Sequence, residues 1–133
     1  MVFGADIIAG FPTETDEMFE NSLNLIDACD LTFLHVFPYS QRPGTPAARM
    51  PMVEQAVIKR RAALLRARGD EKLHQFLQGQ EGNIVDVLVE TPHQGRTPHF
   101  ARARFSQTMT PGAIVRTVVK QAHTTMLDVV LAA

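Results

Sequence analysis

The chain has 133 residues, enough for one ordinary domain or two very small ones. Its 45% hydrophobic and 20% charged residues are typical of a soluble globular protein. No apolar run approaches the roughly 20 residues of a membrane span, and no basic stretch precedes an apolar run at the N-terminus, so we expect neither a membrane helix nor a signal peptide. The single cysteine, Cys29, excludes an internal disulfide, and the cytoplasm is the expected location.

The net charge of −1 conceals an uneven distribution of charge along the chain. Residues 1–41 contain seven acidic residues and no Lys or Arg, whereas the residues from Arg42 onward contain all thirteen basic residues and seven acidic ones. The second part therefore carries a net charge of +6. A basic surface attracts nucleic-acid phosphates by releasing their counterions, although an ordinary solvated surface has the same composition.

The first forty residues predict a strand, a helix and a second strand. Residues 2–10 form a short apolar run that ends before Pro12, which cannot continue a strand. Residues 13–17 are typical of a helix start, because threonine caps the free amides and acidic residues favour the helix N-terminus. Residues 32–37 predict the second strand, and the βαβ order implies parallel strands. The apolar face of the helix is assigned to Phe19, Leu23 and Ile26, broadened by Met18, Leu25 and Cys29.

A proline-rich loop and a long helix follow. Residues 38–46 contain three prolines, which restrict the backbone and make the loop stiff. Apolar residues at steps of three and four predict a helix over residues 53–78, and Gly69 within this series indicates a break between two helices. The rest of the helix surface is assigned to basic residues: Lys59, Arg60, Arg61, Arg66, Arg68 and Lys72.

The pattern changes after Gly79 from helical spacing to alternation. Residues 83–90, 100–105, 113–120 and 125–131 read as short strands with turn signals between them. Such a series predicts a small antiparallel barrel or sandwich. We therefore expect two domains, an α/β part over residues 1–78 and an all-β part over residues 79–133.

Two segments carry a more specific signal than their periodicity. The first is Asp-Ile-Ile-Ala-Gly-Phe-Pro-Thr-Glu-Thr at residues 6–15, and the second is Leu-His-Val-Phe-Pro-Tyr-Ser-Gln-Arg-Pro-Gly-Thr-Pro-Ala at residues 34–47. Their order and separation resemble the late strands of the catalytic barrel in the radical-SAM tRNA methylthiotransferases. Thr13 replaces the glycine usual in that family, and Phe37 before Pro-Tyr-Ser is closer to the branch that acts on threonylcarbamoyl-adenosine.

The resemblance implies a fold and a function for each part. Residues 1–78 would be the C-terminal end of the radical-SAM β/α barrel with its connecting helix, and residues 79–133 would be a TRAM-like, OB-like β-barrel that binds RNA. The family attaches a methylthio group to a modified adenosine next to the tRNA anticodon, with S-adenosylmethionine and iron–sulfur clusters as cofactors. The cysteines that ligate those clusters do not occur in these residues, so we expect no metal site, no catalytic residue and no activity of the chain by itself.

The resemblance also implies partners. These are tRNA, the N-terminal part of the same enzyme, and a second copy of the chain through the edge of the truncated barrel, with no membrane. Two further interpretations stay open, namely a stand-alone, non-catalytic RNA-binding module and a structural remnant of a metabolic α/β barrel.

Candidate site residues fall into two groups. Gly10, Phe37 and Tyr39 lie at strand ends, where β/α barrels place their working groups, and the resemblance assigns them to the S-adenosylmethionine pocket. The alternative is that they only pack the mouth of the barrel. The second group consists of basic and aromatic side chains that predict RNA contacts, namely Arg42, Arg96, Phe100, Arg102, Arg104 and Lys120. The alternative is an ordinary solvated surface or, for Arg42, a side chain that anchors its loop.

Overall fold

A computed structural model describes residues 1–133. The chain divides into two compact units, Val2–Lys72 and Leu73–Ala133, and the division falls inside a helix. No helix is both long enough and apolar enough to cross a membrane. The α/β part followed by a small barrel that the sequence predicts is confirmed.

The first unit contains the predicted βαβ element. Strand β1 (Phe3–Ala9) is followed by helix α1 (Asp16–Ala28) and strand β2 (Leu31–Pro38), and the two strands pair in parallel. A short 3-10 turn (Ala47–Arg49) then leads to helix α2 (Gln55–Gln78). The two-stranded sheet packs one face on the helices, around a core of Ala9, Phe19, Ile26, Leu31, Ala62 and Leu65.

Helix α1 begins at a capped N-terminus, as the sequence predicts. The Thr15 side chain accepts a hydrogen bond from the Met18 amide at 3.2 Å, and Asp16 and Glu17 occupy the first turn. Its buried face is narrower than expected, because Met18 and Leu25 are about half exposed and Cys29 is exposed. The prediction that Cys29 packs in the core is wrong, since the helix ends at Ala28 and Cys29 already belongs to its C-terminal cap.

Helix α2 runs without interruption through Gly69, so the predicted break is wrong. A Cβ atom at Gly69 would lie 2.9 Å from Cδ1 of Leu34. The glycine therefore lets the helix approach strand β2 closely, so it serves packing and does not end the helix.

The second unit is a closed five-stranded barrel. Its strands are β3 (Ile84–Thr91), β4 (Gln94–Arg96), β5 (Arg102–Phe105), β6 (Ile114–Ala122) and β7 (Leu127–Leu131), in the spatial order β3-β4-β5-β7-β6. Strands β5 and β7 pair in parallel and the other pairs are antiparallel, so the barrel is mixed rather than wholly antiparallel. Closure leaves no free sheet edge in this unit.

Alternation along the strands fills the barrel with apolar side chains. The buried residues include Val87, Val89, Ala103, Phe105, Val119, Leu127 and Val129. Leu77, from the end of α2, is completely buried among them. Residues between these positions point outward, which places the charged side chains of β4 and β5 on the outer surface.

Candidate functional site

One face of the sheet in the first unit is open. Strands β1 and β2 pair only with each other, and the register sets Asp6 opposite His35 and Ile8 opposite Phe37. These four side chains are exposed, and Ile8 and Phe37 are each about half accessible to solvent. A sheet face that exposes Ile8 and Phe37 beside Asp6 and His35, with free edges on both sides, is a surface for further strands or side chains.

A cleft of about 410 Å³ opens at the carboxyl ends of these strands. Two of the three predicted cofactor residues, Phe37 and Tyr39, line it, together with Arg42. The Tyr39 amide donates a 2.8 Å hydrogen bond to the Ala9 carbonyl, which ties the loop after β2 to the end of β1. The Tyr39 hydroxyl is buried and has no hydrogen-bond partner within the chain, whereas buried hydroxyls normally have one.

Gly10 does not line this cleft, and the packing explains why it is glycine. Its φ angle is +78°, and a Cβ atom would lie 2.3 Å from Cγ1 of Ile58. Its amide donates to Oε1 of Glu14 at 3.1 Å. The space beside Gly10 is therefore filled by the protein itself, and a cofactor contact at this residue stays a prediction.

Arg61 fixes the loop that follows β1. Its guanidinium donates to the Glu14 carbonyl at 3.0 Å, to Glu14 Oε1 at 2.8 Å and to Asp16 Oδ1 at 2.7 Å. The residue is only 4% exposed, so its assignment to the helix surface is wrong. The sequence spacing could have predicted that Arg61 is buried, because it lies three residues after Ile58 and four before Leu65, both on the buried face of α2.

The barrel aligns four outward side chains across neighbouring strands. Ile114 on β6 is opposite Leu88 on β3, Leu88 is opposite Arg96 on β4, and Arg96 is opposite Arg102 on β5. We call Ile114, Leu88, Arg96 and Arg102 the outer row. The Arg96 guanidinium also lies 4.4 Å from the centre of the Phe100 ring. Three predicted RNA-binding residues, Arg96, Phe100 and Arg102, are thus brought together.

Phe100 has an unusual backbone for a bulky residue. Its φ angle is +66°, in the left-handed region that few residues other than glycine adopt. Its amide donates to the Thr97 carbonyl at 2.9 Å, and its side chain is 65% exposed. The turn between β4 and β5 therefore holds an aromatic ring in solvent next to a guanidinium.

The other predicted RNA-binding residues lie apart from this group. Arg104 shares the outer face of β5, but its Nε and Nη2 atoms donate to the two carboxylate oxygens of Asp128 at 2.8 and 3.0 Å. Lys120 lies toward the opposite end of β6 from Ile114, and Arg42 belongs to the first unit. Of the basic side chains on β4 and β5, only that of Arg102 forms no ion pair.

Asp128 is held by two partners. The hydrogen bonds from Arg104 lower the pKa of the Asp128 carboxyl below its usual range, against the opposing effect of partial burial, and His123 adds to the lowering. His123 Nε2 lies 2.7 Å from Asp128 Oδ2. This cluster links β5, β7 and the turn between β6 and β7.

We expect the Asp128 cluster to stabilise the barrel above the ordinary aspartate pKa of about 3.9 and to lose this effect as the pH falls through the lowered pKa of the folded state. The unfolded chain binds the proton at higher pH than the folded one, so acidification favours unfolding. Because the pair is partly exposed, Asp128→Asn should cost at most about 1 kcal/mol near neutral pH. The free energy of unfolding as a function of pH is measured by urea unfolding followed by circular dichroism, with Asp86→Asn as control. An acid dependence that Asp128→Asn leaves unaltered would contradict this role.

Comparison with known proteins identifies the class to which the chain belongs. No protein-family model matches it. The chain is 48% identical over 114 residues to a threonylcarbamoyladenosine tRNA methylthiotransferase of Rickettsia prowazekii, an alignment that covers 86% of the chain and 27% of the relative. It is 37% identical over 132 residues to the tRNA-2-methylthio-N(6)-dimethylallyladenosine synthase of Bacillus subtilis, covering 92% of the chain and 26% of the relative.

The βαβ unit carries the two motifs at its strand ends, and the small closed barrel that follows it agrees with the fold that the resemblance implied. The chain belongs to the tRNA methylthiotransferase family, and its relatives include the threonylcarbamoyladenosine branch. It spans about a quarter of the length of the curated relatives it matches.

The residues of this chain do not fit the iron–sulfur clusters that family membership implies. No three His, Cys, Asp or Glu side chains are grouped where they could hold a metal ion. Cys29 is the only cysteine and is exposed at the end of α1. Cysteine thiolates are the usual ligands of such clusters, and a single cysteine does not suffice to hold one.

Proposed function

We propose that this chain is part of an enzyme that adds a methylthio group to threonylcarbamoyl-adenosine in tRNA, next to the anticodon, in the cytoplasm. The observation that carries the proposal is the 48% identity to a methylthiotransferase of that branch over 86% of the chain. The first unit supplies part of the S-adenosylmethionine pocket, and the barrel, a TRAM-like domain beginning near residue 79, binds the tRNA. The interpretations as a stand-alone module or as a remnant of a metabolic barrel are not favoured by these relatives.

The cleft at the strand ends supports the cofactor part of the proposal. Phe37 offers an exposed ring on which adenine can stack, and Tyr39 offers a buried hydroxyl that lacks a partner. Arg42, on the same cleft, is placed to attract a carboxylate. When bound, S-adenosylmethionine supplies the radical and the methyl group. The cluster ligands would come from a part of the enzyme outside these residues.

The open sheet supports the proposed protein contacts. Both strands of the first unit have a free edge, and Phe3, Ile8 and Phe37 expose apolar surface on or beside it. Pairing with the other strands of the proposed radical-SAM barrel would complete the sheet and cover these side chains. In the chain by itself, the same edges favour association with a second copy.

The outer row supports the RNA part of the proposal. Arg102 has no acidic partner, and Arg96 and Phe100 lie next to it on the same outer surface. A free guanidinium can contact a phosphate, and an exposed ring can stack on an unpaired base. Both groups come from one side of one small barrel, so they can bind one segment of RNA.

We expect Arg102→Ala to weaken tRNA binding and to reduce the slope of log affinity against log salt by about 0.7–0.9, the value for one phosphate contact. Arg104→Ala is the matched control on the same strand, and its effect should be smaller because Asp128 already holds that guanidinium. The double variant should therefore resemble Arg102→Ala. Fluorescence anisotropy with labelled tRNA at low and moderate salt measures all three. Unchanged binding by Arg102→Ala at both salt concentrations would remove the outer row from the interface.

A further inference from the structure

We propose that the barrel holds one unpaired nucleobase in a cleft beside the outer row, and that this cleft favours bases with an exocyclic amino group over uracil. The inference rests on the proposed RNA binding and specifies what the barrel reads. The cleft has a volume of about 390 Å³ and is distinct from the strand-end cleft of the first unit. We call it the base cleft. It is lined principally by Leu88, Ile114, Phe100, Arg96, Asp86 and Glu90.

The floor of the base cleft is apolar and exposed. Leu88 and Ile114 face each other across β3 and β6, and they are 46% and 72% exposed. Neither contributes to the barrel core, which is filled by the alternate residues of the same strands. Two large aliphatic side chains together in solvent form a surface on which a flat, weakly polar ring can lie.

Phe100 forms a wall of the cleft at a conformational cost. Residues held in the left-handed region cluster at ligand-binding positions, and a bulky aromatic residue is one of the least suited to it. The Arg96 guanidinium covers one face of the ring at 4.4 Å and is itself fixed by a 3.2 Å hydrogen bond to Glu90. The ring is therefore held in place by its neighbour while most of its surface stays open to a base.

Two carboxylates determine which base fits. Asp86 forms no hydrogen bond or ion pair, and Glu90 uses only Oε1 to accept from Arg96, which leaves Oε2 free. Carboxylate oxygens accept hydrogen bonds from the amino groups of cytosine, adenine and guanine. Uracil has no amino group, and its one donor on that edge, N3–H, lies between two carbonyl oxygens that would face the carboxylates.

The same carboxylates indicate which group occupies the cleft: an RNA phosphate, a protein segment or a base. They disfavour a phosphate within the cleft, although Arg116 lies opposite Asp86 and Arg96 pairs with Glu90. Arg102, at the far end of the outer row, has no acidic partner and is the better phosphate contact. An apolar protein segment over the cleft would remove Asp86 and Glu90 from water without giving them hydrogen-bond donors. A base with an amino edge satisfies them and covers Leu88 and Ile114 at the same time.

The test uses the 133-residue chain and three labelled single-stranded RNA hexamers, of adenosine, cytidine and uridine. We expect the first two to bind roughly tenfold more tightly than the third, as one base-specific contact allows. The double variant Asp86→Asn with Glu90→Gln should remove this preference without weakening the binding of the uridine hexamer. If the unaltered chain binds the three hexamers equally, or binds none of them while it still binds tRNA, only the proposal of the base cleft is overturned. Failure of tRNA to bind as well overturns the RNA-binding function.

A second variant separates ring stacking from folding. Phe100→Gly removes the ring and places glycine where the φ angle of +66° suits it, so the melting temperature should hold while hexamer affinity falls roughly tenfold. Ile84→Ala is the control, because Ile84 is an exposed aliphatic residue of the same barrel outside the cleft. Retained affinity in Phe100→Gly would overturn the proposal.

Discussion

Arg61→Met is expected to destabilise the first unit by about 3–5 kcal/mol, the usual cost of removing one partner of a buried ion pair. The Glu14 side chain is only 11% exposed, and without Arg61 its carboxylate would keep a single hydrogen bond from the Gly10 amide. Methionine has a similar volume but cannot donate to Glu14 or Asp16. The loop after β1 would lose the contact that holds it to α2.

The measurement can be confined to the first unit by its spectroscopy. Tyr39 is the only tyrosine and the chain has no tryptophan, so intrinsic fluorescence during urea unfolding reports on the unit that contains Tyr39. Arg60→Met is the control, since Arg60 is the exposed neighbour and forms no ion pair. If Arg61→Met unfolds at the same urea concentration as Arg60→Met, the Arg61 contacts do not stabilise the fold.

Gly95→Ala is expected to destabilise the barrel by at least about 3 kcal/mol, the upper range for overpacking. An added Cβ would lie 2.3 Å from the Leu88 carbonyl oxygen and 2.6 Å from Cγ1 of Val87. The first contact is with backbone inside the β3–β4 pairing, so no side-chain rotation can relieve it. The displacement of β4 would also move Arg96 out of the outer row, and tRNA affinity should fall with stability.

Thermal unfolding followed by far-ultraviolet circular dichroism, with hydrogen exchange of the β3 and β4 amides, tests this prediction. The expected decrease of the melting temperature is at least about 10 °C for a unit of this size. Gly79→Ala is the control, because a Cβ there would make only ordinary contacts at 3.4 Å or more. A Gly95→Ala barrel with unaltered melting and exchange would show that β4 can move aside without cost.

Periodicity predicted most of the elements but not how they pair. The strands of the barrel were found wherever apolar and polar residues alternate over several positions, as in β3 and β6. Strand β4 was missed because its three residues, Gln94 to Arg96, are too few to show alternation. The parallel pairing of β5 and β7 depends on closure of the whole barrel, which no local pattern contains.

The candidate sites were predicted unevenly for a related reason. The motifs led to Phe37 and Tyr39, and the charge pattern led to Arg96 and Arg102, because each stands out in its own segment. Leu88 and Ile114 were missed, since an outward aliphatic residue in a strand looks the same in sequence as an inward one. Arg104 has the same composition signal as Arg102, and only the fold reveals that Asp128 already holds it.

The unbroken course of α2 has a practical consequence for anyone who wishes to isolate the barrel. The helix passes the division between Lys72 and Leu73, and its last six residues belong to the second unit. A recombinant fragment that started at Gly79 would leave Leu77 behind and open a leucine-sized hole in the hydrophobic interior. Gene boundaries for expression should therefore be drawn before Leu73, so that the end of α2 stays with the barrel whose interior it fills.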